Sequence, residues 1–142
     1  MLNFAEKALE EVKKYIESLR SRFSLRLVIL FGSFAQDSWT EYSDIDVLVV
    51  ADDLNVNIGE NFPGLVEGRI EPFGVKSDHF FDEIRSLNFV VLDALETGKI
   101  LFSDEGFKEK AWKVFEKTKE EMELVREAEG WKWNPEKVEN IR

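Results

Sequence analysis

The sequence predicts an α/β (α+β) fold, a small mixed β-sheet packed by helices. Leu25 to Phe31 and Ile45 to Val50 are short, β-branched and almost wholly apolar, as strands buried on both faces are. Helical periodicity flanks them, once before Leu25 and again beyond Asp104. The 142 residues, 44% hydrophobic and 34% charged, suffice for one core of ordinary size. A single domain over residues 1–142 is therefore expected, with its core at about 24–103.

In the first segment Ala5, Ala8, Leu9, Val12, Ile16, Leu19 and Phe23 recur at spacings of three and four, predicting an amphipathic helix over 2–22. The first strand ends at Gly32-Ser33, and about a dozen residues, enough for a turn and a short helix from Ser33 or Phe34, lead to the second. Asn, Gly and Pro break any periodicity from Asp52 to Gly64, which reads as loop with at most a short helix. A strand follows over Gly68 to Val75, and Pro72, which lacks a ladder donor, places it at an edge or near its end.

Ser77 reads as the N-cap of a helix carrying Phe80, Phe81 and Ile84. A further helix runs near Phe89 to Thr97 and stops at Gly98, and Ile100 to Phe102 forms a short strand. Ser103 or Asp104 then caps a long helix over about 104–129, with Phe107, Ala111, Val114, Phe115, Thr118, Met122 and Val125 inward and Gly130 as its stop. In the tail, Trp131 and Trp133 are expected to fold back over their own core.

Composition excludes several chemistries. Cysteine is absent and His79 is the single histidine, so disulfides, thiol nucleophiles and Cys/His zinc sites are ruled out and any metal must be held by oxygen. His79, beside a helix start, reads as a surface residue. The net charge of −10 argues against a broad nucleic-acid surface. Residues 27–103 carry 14 acids and only 4 bases, which concentrates the negative charge in the middle of the chain. No apolar stretch is long enough to span a membrane and the amino terminus does not read as a signal peptide, so a cytoplasmic protein is expected.

The residues that carry chemistry lie around the first two strands. Asp44 and Asp46 flank Ile45 at the head of a strand, and period-two alternation points both carboxylates to one face. Two such groups repel unless a cation lies between them or a proton is shared, so the pair reads as a metal site or an acid/base dyad. With oxygen donors alone Mg2+ is the natural ion, and Mg2+ usually completes its shell with water and substrate phosphates. Gly32, just after a buried strand, lets backbone amides approach phosphate oxygens, and the Ser33 hydroxyl adds a donor. Either motif alone would be a turn or a solvated strand entry; their succession is the stronger signal.

These residues resemble the nucleotidyltransferases of the DNA polymerase beta superfamily, particularly the minimal nucleotidyltransferases of prokaryotes, including archaeal-type members. The family pattern, Gly-Ser-x-Ala-Arg-Gly and then Ser-Asp-Ile-Asp before an apolar strand, is matched by Gly32-Ser33-Phe34-Ala35 and Ser43-Asp44-Ile45-Asp46-Val47. Gln36-Asp37 replaces the Arg-Gly pair, altering a phosphate or turn contact. Arg69-Ile70-Glu71-Pro72 looks like the segment that supplies the family's third carboxylate, with Asp52, Asp53 and Glu67 as nearby alternatives and a plain surface acid as the simpler reading of Glu71.

The resemblance implies a nucleotidyltransferase-like fold and nucleotidyl transfer with two Mg2+ ions. Asp44, Asp46 and Glu71 would be catalytic and metal-ligating, and Gly32 and Ser33 would bind the phosphates of a nucleoside triphosphate. Glu71 would help deprotonate an acceptor hydroxyl before attack on the α-phosphorus. The implied reaction is transfer of a nucleoside monophosphate, AMP from ATP, to a hydroxyl on a HEPN-type partner protein, as in minimal nucleotidyltransferase antitoxins. Two alternatives stand beside it: a small-molecule nucleotidyltransferase, and a non-catalytic module of the same fold that masks a partner. Trp39 lies between the motif halves, where it could stack on a base or simply pack its loop.

Overall fold

The computed structural model describes residues 4–32, 44–54 and 70–138. Helix α1 (Phe4–Arg22) leads into strand β1 (Leu25–Phe31), followed by β2 (Ile45–Ala51) and β3 (Ile70–Lys76). Helices α2 (Ser77–Arg85) and α3 (Phe89–Thr97), strand β4 (Lys99–Ser103) and helix α4 (Glu105–Met122) come next. A hairpin of β5 (Val125–Glu127) and β6 (Gly130–Lys132) precedes a last turn, α5 (Pro135–Val138). The expected short helix after Ser33, the loop over 55–64, Trp39 and Glu67 lie outside the described residues.

The main sheet has the order β3-β2-β1-β4 and is mixed: β1 runs antiparallel to β2 and β4, whereas β2 and β3 are parallel. Each face is covered. On one, Ala8, Val12, Tyr15 and Leu19 of α1 pack with Val28, Leu30, Ile45, Val47, Val49 and Ile70. On the other, Leu27, Ile29, Phe31, Leu48, Val50 and Val75 meet Phe80, Ile84, Val91, Leu92, Leu95 and Phe115 from α2, α3 and α4. Burial on both sides is the reason β1 and β2 are almost wholly apolar. Pro72 lies on β3, an edge strand, where its missing N–H costs no ladder bond to a further neighbour.

One helix start differs from the sequence expectation. Lys76, not Ser77, occupies the N-cap position of α2, and no side chain caps it. Strand β3 runs straight into the helix, so Ser77 is already helical and its hydroxyl donates instead to the Asp52 carboxylate at the end of β2. At the start of α4 it is Asp104 that caps, its carboxylate accepting from the Phe107 amide at 3.0 Å. Asn88 does the same for α3, accepting from the amides of Val90 and Val91.

The larger correction concerns the carboxyl-terminal helix, which ends at Met122 rather than near 129. Glu123 turns left-handed (φ 55°), and the Leu124 amide reaches back to the Lys119 carbonyl at 2.9 Å. The chain then forms the β5–β6 hairpin, with Gly130 (φ 133°) opening β6 and Val125 left 54% exposed instead of inward. The hairpin brings Trp131 back to the core, where its ring meets Phe115 edge-on at 6.3 Å and its Nε1 donates to Asp93 Oδ1 at 2.7 Å. A continuous helix would carry that indole past the end of the core. Trp133 stays 39% exposed against the Phe89 ring.

Candidate active site

The sheet topology collects the end of β1, the start of β2 and the start of β3 at one edge of the molecule. Asp46 sits opposite Phe31 in the antiparallel β1–β2 pair and opposite Glu71 in the parallel β2–β3 pair. Asp44 precedes β2 by one residue and is exposed, as is Glu71, whereas Asp46 is partly buried. Among the described residues no three acidic or imidazole side chains are closed around a common point. Asp46 is next to both other acids, with Asp44 two residues before it along the chain and Glu71 opposite it across the β2–β3 pair.

Electrostatics follow from that proximity. Burial first, then the charge of Glu71, then that of Asp44, pushes the Asp46 carboxyl up to about 6. Each cause is relieved by positive charge brought to this point, and all available donors are hard oxygens, so the set fits a divalent cation such as Mg2+.

Gly32 completes the geometry. It leaves β1 with φ +73°, a conformation that disfavours any residue with a side chain. A Cβ placed there would run into the Asp46 carboxylate, lying 3.2 Å from its Cγ. Glycine is thus required twice over, by the turn and by the carboxylate pressed against it. Ser33, the other expected phosphate contact, lies outside the described residues.

Two of the alternatives for a third acid are separated from this edge. Asp52 is past the opposite end of β2, roughly 20 Å along the strand from Asp46, and it pairs with Arg26 at 2.8 Å. Asp53 accepts from the Ser24 amide at 2.9 Å. Both fasten the far end of the sheet. His79 is exposed on α2 beside Asp78, as expected of a surface residue. The sequence reading did not single out Phe73, which lies two residues beyond Glu71 on the same sheet face. Its ring touches that of Phe31 beside Asp46, and the alternation along β3 carries the signal that would have found it.

The family model described as a nucleotidyltransferase domain matches residues 12–134. Two proteins of Methanocaldococcus jannaschii, provisionally named protein adenylyltransferases, are similar in sequence. One is 44% identical over 43 residues, covering 29% of this chain and 43% of that protein. The other is 33% identical over 76 residues, covering 51% of this chain and 76% of that protein. The match therefore spans less than half of the first relative's length.

Among solved structures, a nucleotidyltransferase from Sulfolobus solfataricus superposes with TM-score 0.52 at 20% identity, over 74% of this chain and 92% of that one. A toxin-antitoxin complex with AMP-PNP gives 0.54 at 22% identity, over 84% and 89%. A complex of tri-AMPylated Shewanella oneidensis HEPN toxin with MNT antitoxin gives 0.51 at 26% identity, over 80% and 87%. The family match over most of the chain, together with the 33% identical relative, leads to one conclusion: the chain belongs to the nucleotidyltransferase-domain family.

Proposed function

We propose that the protein transfers AMP from ATP to a hydroxyl of a partner protein, the partner being of the HEPN type. One observation carries this reading: Asp46, with Asp44 two residues before it, sits in register between the Phe31–Gly32 turn and Glu71. The names of the two archaeal relatives and of the Shewanella complex support AMP as the group moved and a protein as the acceptor.

In this reading Asp44, Asp46 and Glu71 hold two Mg2+ ions, and Gly32 with Ser33 receives the phosphates of ATP. Bound there, the cations would neutralise and orient the triphosphate. The backbone at Gly32 offers approach without a side chain, and the sheet edge aligns the acceptor with the α-phosphorus. The acceptor oxygen forms a bond to that phosphorus as its bond to the bridging oxygen of the β-phosphate breaks. AMP remains on the acceptor, pyrophosphate leaves with the bonding pair, and Glu71 takes the hydroxyl proton.

The test incubates the purified protein with α-labelled ATP, Mg2+ and a lysate of its source. Label on a protein band, lost in the Asp44→Asn/Asp46→Asn double variant, supports the reading. Label confined to a small molecule moves the acceptor to that class, and no label anywhere overturns transfer in favour of a masking module.

A further inference from the structure

Phe31 and Phe73 belong to β1 and β3, with β2 between them, yet their ring centroids are only 5.6 Å apart at an interplanar angle of 59°. Phe31 pairs with Asp46 and Phe73 with Leu48, the next residue on that face of β2. Two strand spacings amount to roughly 10 Å. The rings therefore meet by leaning inward over β2, on the sheet face that carries Asp46 and Leu48. They end the apolar part of that face next to Asp46.

That carboxylate also lies against Gly32, where no Cβ could fit. Asp46 thus has bare backbone and an aromatic pair as neighbours. A ligand already restricted to one orientation loses little freedom on binding, and an apolar shell keeps water from competing at its back. Phe31 is 7% exposed and serves the core as well, but Phe73 is only partly buried, on an edge strand. Pro72 restricts the backbone between Glu71 and Phe73, so the carboxylate and the ring keep a fixed relation.

We propose that Phe31 and Phe73 are positioning residues for the nucleotidyl-transfer site: their rings hold the Asp46 carboxylate in the orientation that receives a divalent cation with its nucleotide. The inference rests on the functional reading above and adds residues that the acidic motif does not contain.

The experiment measures binding of Mn2+ with ATP to the full chain by calorimetry, well below the melting temperature. Phe73→Ala is expected to weaken binding about tenfold, and Phe73→Leu to restore most of it by refilling the space. Phe81→Ala is the control. It removes a partly buried ring from the same core, beside Phe107 in the first turn of α4, and should lower the melting temperature while leaving affinity unchanged. Wild-type affinity in Phe73→Ala, or an equal loss in Phe81→Ala, would overturn the proposal while the functional reading stands. Absence of binding by the wild-type protein overturns the functional reading and the proposal with it.

Discussion

Asp46 and Glu71 are register partners across the parallel pair β2–β3, so acids far apart in the sequence emerge side by side at the end of the sheet. The repulsion between them contributes to the raised pKa of Asp46, second only to burial. Holding them together without a counter-charge costs stability, and binding a cation recovers it.

The clearest kinetic expectation attaches to Glu71. If it receives the acceptor proton, Glu71→Gln should cut turnover by at least ~10²-fold with little change in nucleotide affinity. Single-turnover assays beside equilibrium binding separate the two, and full transfer activity in the variant would remove Glu71 from the mechanism.

Asp46 yields a stability prediction whose sign runs against habit. Its folded pKa, about 6, lies above the ordinary aspartate value of 3.8, so the folded state binds the proton more tightly than the unfolded one. Its contribution to stability is therefore greatest below about pH 4 and falls as pH rises through 6. Asp46→Asn should make the metal-free protein more stable than wild type at pH 7.5, by about 1 kcal/mol after allowing for solvent screening. The difference should vanish near pH 4, and stabilisation by Mg2+ with ATP should be lost. Paired denaturant titrations at the two pH values check it.

At Gly32 a single methyl group should suffice to disturb the site. Gly32→Ala places a Cβ against the Asp46 carboxylate in a left-handed backbone conformation, for about 1–2 kcal/mol of stability and a loss of nucleotide binding. Normal binding by a folded Gly32→Ala protein would reduce Gly32 to a turn residue.

At the other end of β2, Arg26 joins Asp52 at 2.8 Å and Asp104 at 3.2 Å, and Ser77 bonds the same Asp52 carboxylate. The Arg26 hydrogen bond, then that of Ser77, holds the Asp52 carboxyl below its usual value. The stabilisation is present above the unfolded pKa and is lost as pH falls through the folded one. Asp52→Asn should lower the melting temperature at pH 7 and narrow the gap to wild type in acid, without weakening nucleotide binding. A variant that loses nucleotide affinity instead would return Asp52 to the site.

Trp131 fastens the hairpin by a hydrogen bond and by packing, and substitution separates the two. Trp131→Phe keeps a ring near Phe115 but gives up the bond to Asp93, for about 1.5–3 kcal/mol, whereas Trp131→Ala should cost about 3–5 kcal/mol. Urea melts that rank the two variants equally would assign the whole effect to the hydrogen bond.

The acidic pair and the strands around it were legible because their signals are local. Leu25–Phe31 and Ile45–Ala51 are buried on both faces and so read as almost wholly apolar runs, and the convergence of Asp44 and Asp46 needs only the two-residue period of a strand. Pro72 announced an edge strand for an equally local reason, its missing donor. The sequence by itself thus determined the strands, the pair and the glycine turn.

Tertiary structure decided which distant acid joins them. Glu71, Asp52 and Asp53 are alike as residues, but the β2–β3 register sets Glu71 beside Asp46 while the length of β2 carries the other two to the far end, where Arg26 and the Ser24 amide engage them. It also decided where α4 stops, since helical spacing continues as far as Val125 and the contacts of Trp131 with Phe115 and Asp93 favour a hairpin over further turns. Register and docking depend on groups far apart in the chain, whose joint free energy no local window contains.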